Sequence, residues 1–131
     1  MAKEILAVDD EEDILQLLRF VLEMEGFVVV TARDGAEALE VIASRRPDLI
    51  IADLMMPRVS GVMLLQRLKT QAETASIPVV VLSAWGDDEM VRIAIDVGAE
   101  AHFSKPFDSG ELVRFIRREL DERKESPAGL G

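Results

Sequence analysis

The sequence has no cysteine, which excludes disulfides and thiolate metal sites and fits a reducing compartment. Basic residues are in the minority, with 15 Lys and Arg against 25 Asp and Glu and a formal net charge of −10. A nucleic-acid surface needs clustered cations to displace counterions, so direct nucleic-acid binding is not expected. No apolar run approaches the roughly 20 residues of a membrane helix, so no membrane association is expected. Met1 to Glu4 shows no basic region leading into an apolar stretch, so no signal peptide is expected and a cytoplasmic location is. What is present suits one domain: 131 residues, 49% of them apolar, enough for a real core.

Short apolar runs alternate with longer amphipathic stretches. The runs are Ile5 to Val8, Val28 to Thr31, Leu49 to Ala52, Val79 to Leu82 and Ala101 to Ser104. The first four, rich in Val, Ile and Leu without alternation, read as strands covered on both faces of a parallel sheet. The fifth is more polar and reads as an edge strand. Helical spacing joins Ile14, Leu17, Leu18, Val21 and Leu22, with Gly26 as a stop. It joins Ala38, Leu39 and Ile42, then Leu64, Leu65 and Leu68, then Met90, Ile93, Ala94 and Val97 before Gly98. A last helix starts at Asp108, a good N-cap with Glu111 three residues on, and carries Leu112, Phe115, Ile116 and Leu120. Strand then helix, five times over, predicts an α/β fold with a parallel sheet and helices on both faces. The domain is expected over residues 1–124, and 125–131, with their turn-forming composition, are expected to be a flexible tail.

In open parallel sheets the functional crevice lies beyond the carboxyl ends of the strands. Asp9 and Asp10 follow the first run, Asp53 the third, Ser83 ends the fourth, and Lys105-Pro106 follow the fifth. Each alone has a plain reading: an acid as a helix cap, Ser83 as a strand-end cap, Lys105 as a solvated surface residue. Together they place three carboxylates, a hydroxyl and an ammonium at one edge. Like charges about 4 Å apart repel by about 4 kcal/mol at an effective dielectric near 20, so a divalent cation is the natural compensation. All-oxygen ligation favours Mg²⁺, with Mn²⁺ as a substitute. A carboxylate nucleophile, a cation and a lysine together suggest phosphoryl chemistry on an aspartate.

At these residues the chain resembles the receiver domain of two-component response regulators, the CheY-like family. The matching elements are Val8-Asp9-Asp10-Glu11, Asp34-Gly35, Pro47-Asp48-Leu49-Ile50, Asp53-Leu54-Met55-Met56-Pro57, Ser60-Gly61, Ser83-Ala84, Gly98-Ala99 and Lys105-Pro106-Phe107. They span roughly residues 3–122 in the family's order and spacing. The resemblance implies a flavodoxin-like doubly wound sheet of order 2-1-3-4-5 with five surrounding helices. It implies that Asp53 accepts a phosphoryl group from a sensor histidine kinase or a histidine phosphotransfer protein docking on the first helix. Asp10 would bind Mg²⁺ directly, Asp9 through water, and the Met55 carbonyl would be a further ligand. Ser83 and Lys105 would contact the phosphoryl oxygens, and the Lys105-Pro106 bond is expected to be cis.

The resemblance also implies a switch in which Ser83 moves and an aromatic residue turns inward. Phe103 is expected in that part, with a core aromatic in every state as the other reading. The affected surface would be the fourth helix, fifth strand and fifth helix, where an unknown downstream protein or a second copy of the chain would bind. Met55 and Trp85, at the positions that tune acyl-phosphate lifetime in the family, are bulky and apolar, which suggests slow self-dephosphorylation; Trp85 could equally be a surface or anchoring residue. The apolar arc of the first helix, widened by Phe20, exceeds a normal core stripe, so it is either exposed for a partner or covered by neighbouring helices. The lone histidine, His102, is expected to be exposed and structural.

Two other functions fit less well. An aspartyl-phosphate phosphatase would be a true enzyme, whereas here no enzyme activity is expected, and its first strand would end in Asp-x-Asp. A flavin or nucleotide module would offer glycines after the first strand, where this chain has Asp9-Asp10-Glu11-Glu12-Asp13. The remaining alternative is a receiver excised from a larger regulator or hybrid kinase.

Overall fold

The computed structural model describes residues 2–56 and 58–130, with side chains of the last helix described as far as Asp121. Five strands and five helices alternate: β1 (Glu4–Val8), α1 (Glu12–Met24), β2 (Val28–Ala32), α2 (Gly35–Ser44), β3 (Leu49–Asp53), α3 (Gly61–Lys69), β4 (Val79–Ser83), α4 (Asp88–Val97), β5 (Ala101–Ser104) and α5 (Ser109–Leu130). The expected tail at 125–131 lies beyond the side chains described. All strand pairs are parallel, in the order β2-β1-β3-β4-β5.

The burial of each strand follows its place in that order. β3 and β4 are buried at every residue and β1 from Ile5 onward. β2 departs from the two-faced cover its composition suggested, because it is an edge strand whose Val28 is exposed. β5 is the other edge, and its burial alternates. Strand parity divides the core. Leu6, Val8, Ile50, Ala52, Val79 and Val81 face α2, α3 and α4. Ile5, Ala7, Leu49, Ile51, Val80 and Leu82 face α1 and α5.

Three of the helices, α2, α3 and α5, begin where a side chain satisfies a free N–H group of the first turn. Asp34, Ser60 and Asp108 accept from the backbone of Glu37, Met63 and Glu111 at 2.8, 3.2 and 3.0 Å. Helix α1 buries Leu15, Leu18 and Leu22, and α3 buries Val62, Leu64, Leu65 and Leu68. Full burial of a leucine contributes about 1.5–3 kcal/mol. In α4 only Ala94 is fully buried, so that helix is the one most lightly held. Its stripe also differs from the sequence expectation. Val91 joins Met90 and Val97 against the core while Ile93 is exposed, because Ile93 lies about 100° round the helix from Ala94.

Candidate functional site

The parallel topology carries the ends of β1, β3, β4 and β5 to one edge of the sheet, and the loops after them bring the expected residues together. Carboxylate oxygens of Asp9, Asp10 and Asp53 all lie within 4.8 Å of one another. Lys105, just past β5, reaches across the edge. Its Nζ is 2.9 Å from Asp9 Oδ2, 2.7 Å from Glu11 Oε1 and 3.3 Å from Asp53 Oδ2. Asp9 and Asp53 are buried and Asp10 is exposed.

Asp9 is only half satisfied. Its Oδ1 accepts the Glu11 backbone N–H at 2.9 Å, but its buried Oδ2 accepts no aligned hydrogen bond. The Lys105 amine beside it makes an ion pair without hydrogen-bond geometry. Asp53 is in a similar position, since its Oδ1 has only a long 3.4 Å contact from the Met55 N–H. Burial, then repulsion from Asp9, pushes the Asp53 carboxyl up to about 6 despite Lys105. Burial likewise raises Asp9, against the Glu11 N–H and Lys105. Burial pulls Lys105 downward, but its contacts with Glu11 and Asp9 and the field of Asp53 outweigh that and hold it above the ordinary lysine range. Lys105 is therefore a fixed cation, and one amine is shared among three acids. A buried Asp9 oxygen with no aligned hydrogen bond, sharing the Lys105 amine with two other acids, and an all-oxygen donor set fit a hard divalent cation.

Two adjoining cavities open here. One, of about 350 Å³, is lined by Asp10, Glu11, Asp53, Met55, Ala84, Asp87 and Lys105. The second, of about 520 Å³, lies on the α4 side of β5 and includes Ser83, Trp85, Val91, His102, Ser104 and Lys105. Ser83 is buried, its carbonyl accepts the Lys105 backbone N–H at 2.8 Å, and it lies on the face that looks toward α4. Met55 is half exposed at the mouth of the first cavity, Trp85 is 99% exposed, and the Lys105-Pro106 bond is cis.

Phe103 is not at either cavity. It packs on the α1 and α5 face, where its ring meets Phe115 edge to face at 6.0 Å between centroids. The reason is parity: Val81 pairs with His102, Leu82 with Phe103 and Ser83 with Ser104, so it is His102, together with Ser104, and not Phe103 that shares the α4 face with Ser83. Counting alternate positions along β5 from Phe103, whose apolar ring marks the core side, would have found it. Sequence reasoning also passed over Glu11 and Asp87, whose roles come from contacts with Lys105 and Ala84.

On α1, part of the apolar arc is uncovered: Leu17, Phe20 and Met24 are 42%, 64% and 71% exposed. Among the described residues, no helix is long and apolar enough to cross a membrane.

Comparison with known proteins gives a consistent picture. The family model for the response regulator receiver domain matches residues 5–117. The phosphate regulon transcriptional regulatory protein PhoB of Pseudomonas aeruginosa is 37% identical over 135 residues, covering 100% of this chain and 59% of PhoB. The chain thus spans little more than half of that relative. The sporulation initiation phosphotransferase F of Bacillus subtilis is 35% identical over 120 residues, covering 92% of this chain and 95% of the relative. The solved receiver domain of NtrX from Brucella abortus superposes with a TM-score of 0.84 at 37% identity, covering 89% of this chain and 98% of that one.

Proposed function

From the premise that this chain belongs to the response regulator receiver domain family, we propose that it is a phosphoryl-accepting signalling switch with Asp53 as the acceptor. A carboxylate oxygen of Asp53 forms a P–O bond as the P–N bond to a donor phosphohistidine breaks, and the electron pair stays on the departing imidazole nitrogen. The observation that carries this reading is the convergence of Asp9, Asp10 and Asp53 around Lys105 at the strand ends. Lys105 offsets the charge on the transferring group and Ser83 offers its hydroxyl from the adjacent strand. Asp9, Asp10, Asp53 and the Met55 carbonyl would hold Mg²⁺, which supplies further charge neutralisation when bound. Direct ligation by Asp10 and water-mediated ligation by Asp9 remain the assignment of the resemblance.

The donor is a sensor histidine kinase or histidine phosphotransfer protein, and the exposed Leu17, Phe20 and Met24 of α1 support docking there. The signal leaves through α4, β5 and α5 to a downstream protein or to a second copy of the chain. The protein is not a turnover enzyme and loses its phosphoryl group slowly, because neither Met55 nor Trp85 has a carboxylate or amide oxygen to accept a proton from an attacking water. A cytoplasmic location and the absence of direct nucleic-acid contact belong to the same reading. The chain acts as a stand-alone receiver or as the receiver of a longer regulator, and relatives of both lengths occur.

The test is incubation with acetyl phosphate, with and without Mg²⁺, followed by intact-mass measurement. A Mg²⁺-dependent phosphoryl adduct that is lost in Asp53→Asn is expected. An adduct that persists in Asp53→Asn, or none at all, counts against the proposal.

A further inference from the structure

Resting on that reading, we propose that the Asp87 carboxylate is a latch that occupies the Ala84 N–H until a phosphoryl group on Asp53 displaces it. The loop from β4 to α4 closes on itself. Ala84 N–H donates to Asp87 Oδ2 at 2.8 Å, and Asp87 N–H donates back to the Ala84 carbonyl at 3.2 Å. Asp87 stands at the N-cap of α4, yet its side chain makes no capping hydrogen bond to that helix. Its acceptor capacity is directed backward instead, onto the residue after Ser83.

Ala84 and Asp87 both line the cavity of Asp53. A phosphoryl group there brings three acceptor oxygens and extra negative charge. The Lys105 amine and the Ala84 N–H are donors at that cavity, and the second is already engaged by a carboxylate. Asp87 cannot donate to the phosphoryl oxygens; it competes with them for the N–H and repels them. Taking the N–H therefore means displacing the Asp87 side chain, which leaves the loop closed by the single 3.2 Å backbone hydrogen bond from Asp87 N–H to the Ala84 carbonyl.

The consequence falls on α4. The Asp87 carbonyl accepts the Val91 N–H at 2.9 Å, so the loop and the first turn of the helix move together. That helix is anchored at full depth only by Ala94, and the 520 Å³ cavity beside Val91 and His102 gives its start room to shift. Unlatching thus couples Asp53 to the α4 surface through one hydrogen bond.

Trp85 lies inside the loop, is almost fully exposed and is the chain's one tryptophan. Wild type, Asp87→Ala, Asp87→Asn and Asp53→Asn are titrated with beryllofluoride in saturating Mg²⁺, followed by Trp85 fluorescence and independently by calorimetry. Removing one competing hydrogen bond is expected to lower the midpoint roughly 3- to 10-fold in Asp87→Ala and less in Asp87→Asn. The ligand-free emission of Asp87→Ala is expected to shift toward that of liganded wild type, with a small drop in thermal midpoint from the one hydrogen bond lost in the ligand-free protein. An unchanged or raised midpoint in the Asp87 variants, with wild type still responding, overturns the latch alone. A wild type that does not respond, or an Asp53→Asn variant that responds equally, overturns the phosphoacceptor reading and the latch with it. If Asp87→Ala does not fold, the midpoint of Asp87→Asn decides.

Discussion

The nearest acid to the Lys105 amine is Glu11, at 2.7 Å, and not Asp53, at 3.3 Å. Glu11 is exposed whereas Lys105 is mostly buried. The amine therefore holds the acidic cluster together while remaining partly engaged by a group at its rim. Removing it leaves Asp9 and Asp53 buried without their cation. Lys105→Ala is expected to destabilise the metal-free protein by about 3–5 kcal/mol at pH 7. The loss should shrink near pH 5, where the carboxyls take up protons. Urea denaturation at the two pH values checks this.

Asp53 itself gives a pH dependence with a definite sign. Its carboxyl titrates near 6 in the fold against an ordinary 3.8, so the folded state binds the proton more tightly than the unfolded chain. The contribution is favourable below about pH 4 and is lost as pH rises through 6. The shift corresponds to about 2–3 kcal/mol at most. In EDTA at pH 7, Asp53→Asn is expected to be more stable than wild type, and the gap should close toward pH 4. Equal stabilities across that range would contradict the burial argument.

A divalent cation should relieve the same strain. Mg²⁺ at about 100 times its dissociation constant stabilises by about 2.7 kcal/mol through mass action. Thermal unfolding of wild type is expected to rise with Mg²⁺ and to fall back on chelation. Asp9→Asn and Asp53→Asn should each blunt the rise. An identical rise in both variants would place the cation elsewhere.

Gly61 should tolerate no side chain. A Cβ there would meet the Asp53 carbonyl oxygen and the Leu54 Cα, which are backbone atoms that cannot swing aside. Gly61→Ala is expected to cost about 1–3 kcal/mol and to slow labelling of Asp53 by acetyl phosphate, since the clash falls on the backbone of the proposed acceptor. Denaturation and labelling kinetics measure the two effects.

The lifetime of phospho-Asp53 should respond to its rim. Met55 and Trp85 line the two cavities, and neither side chain has a carboxylate or amide oxygen to accept a proton from an attacking water. Met55→Asn and Trp85→Glu are each expected to shorten the lifetime several-fold, followed by loss of the mass adduct in Mg²⁺. Unchanged lifetimes in both would remove these residues from the account.

Much of the fold is written locally. Unbroken Val, Ile and Leu runs, helical stripes and the caps Asp34, Ser60 and Asp108 set the elements and their order. The strand-end positions of Asp9, Asp10, Asp53, Ser83 and Lys105 then name the site, because parallel strands with right-handed crossovers bring their carboxyl ends to one edge. Edge position, facing and contact are different, since they depend on neighbours distant in the chain. Val28 is exposed because β2 has a partner on one side only. Phe103 belongs to α5 because the pairing of β5 with β4 fixes its parity. The hold of Glu11 on Lys105 spans 94 residues, and the turn of Asp87 onto Ala84 depends on how one loop closes. Local periodicity decides what each segment becomes, whereas only the packed sheet decides which side chains meet.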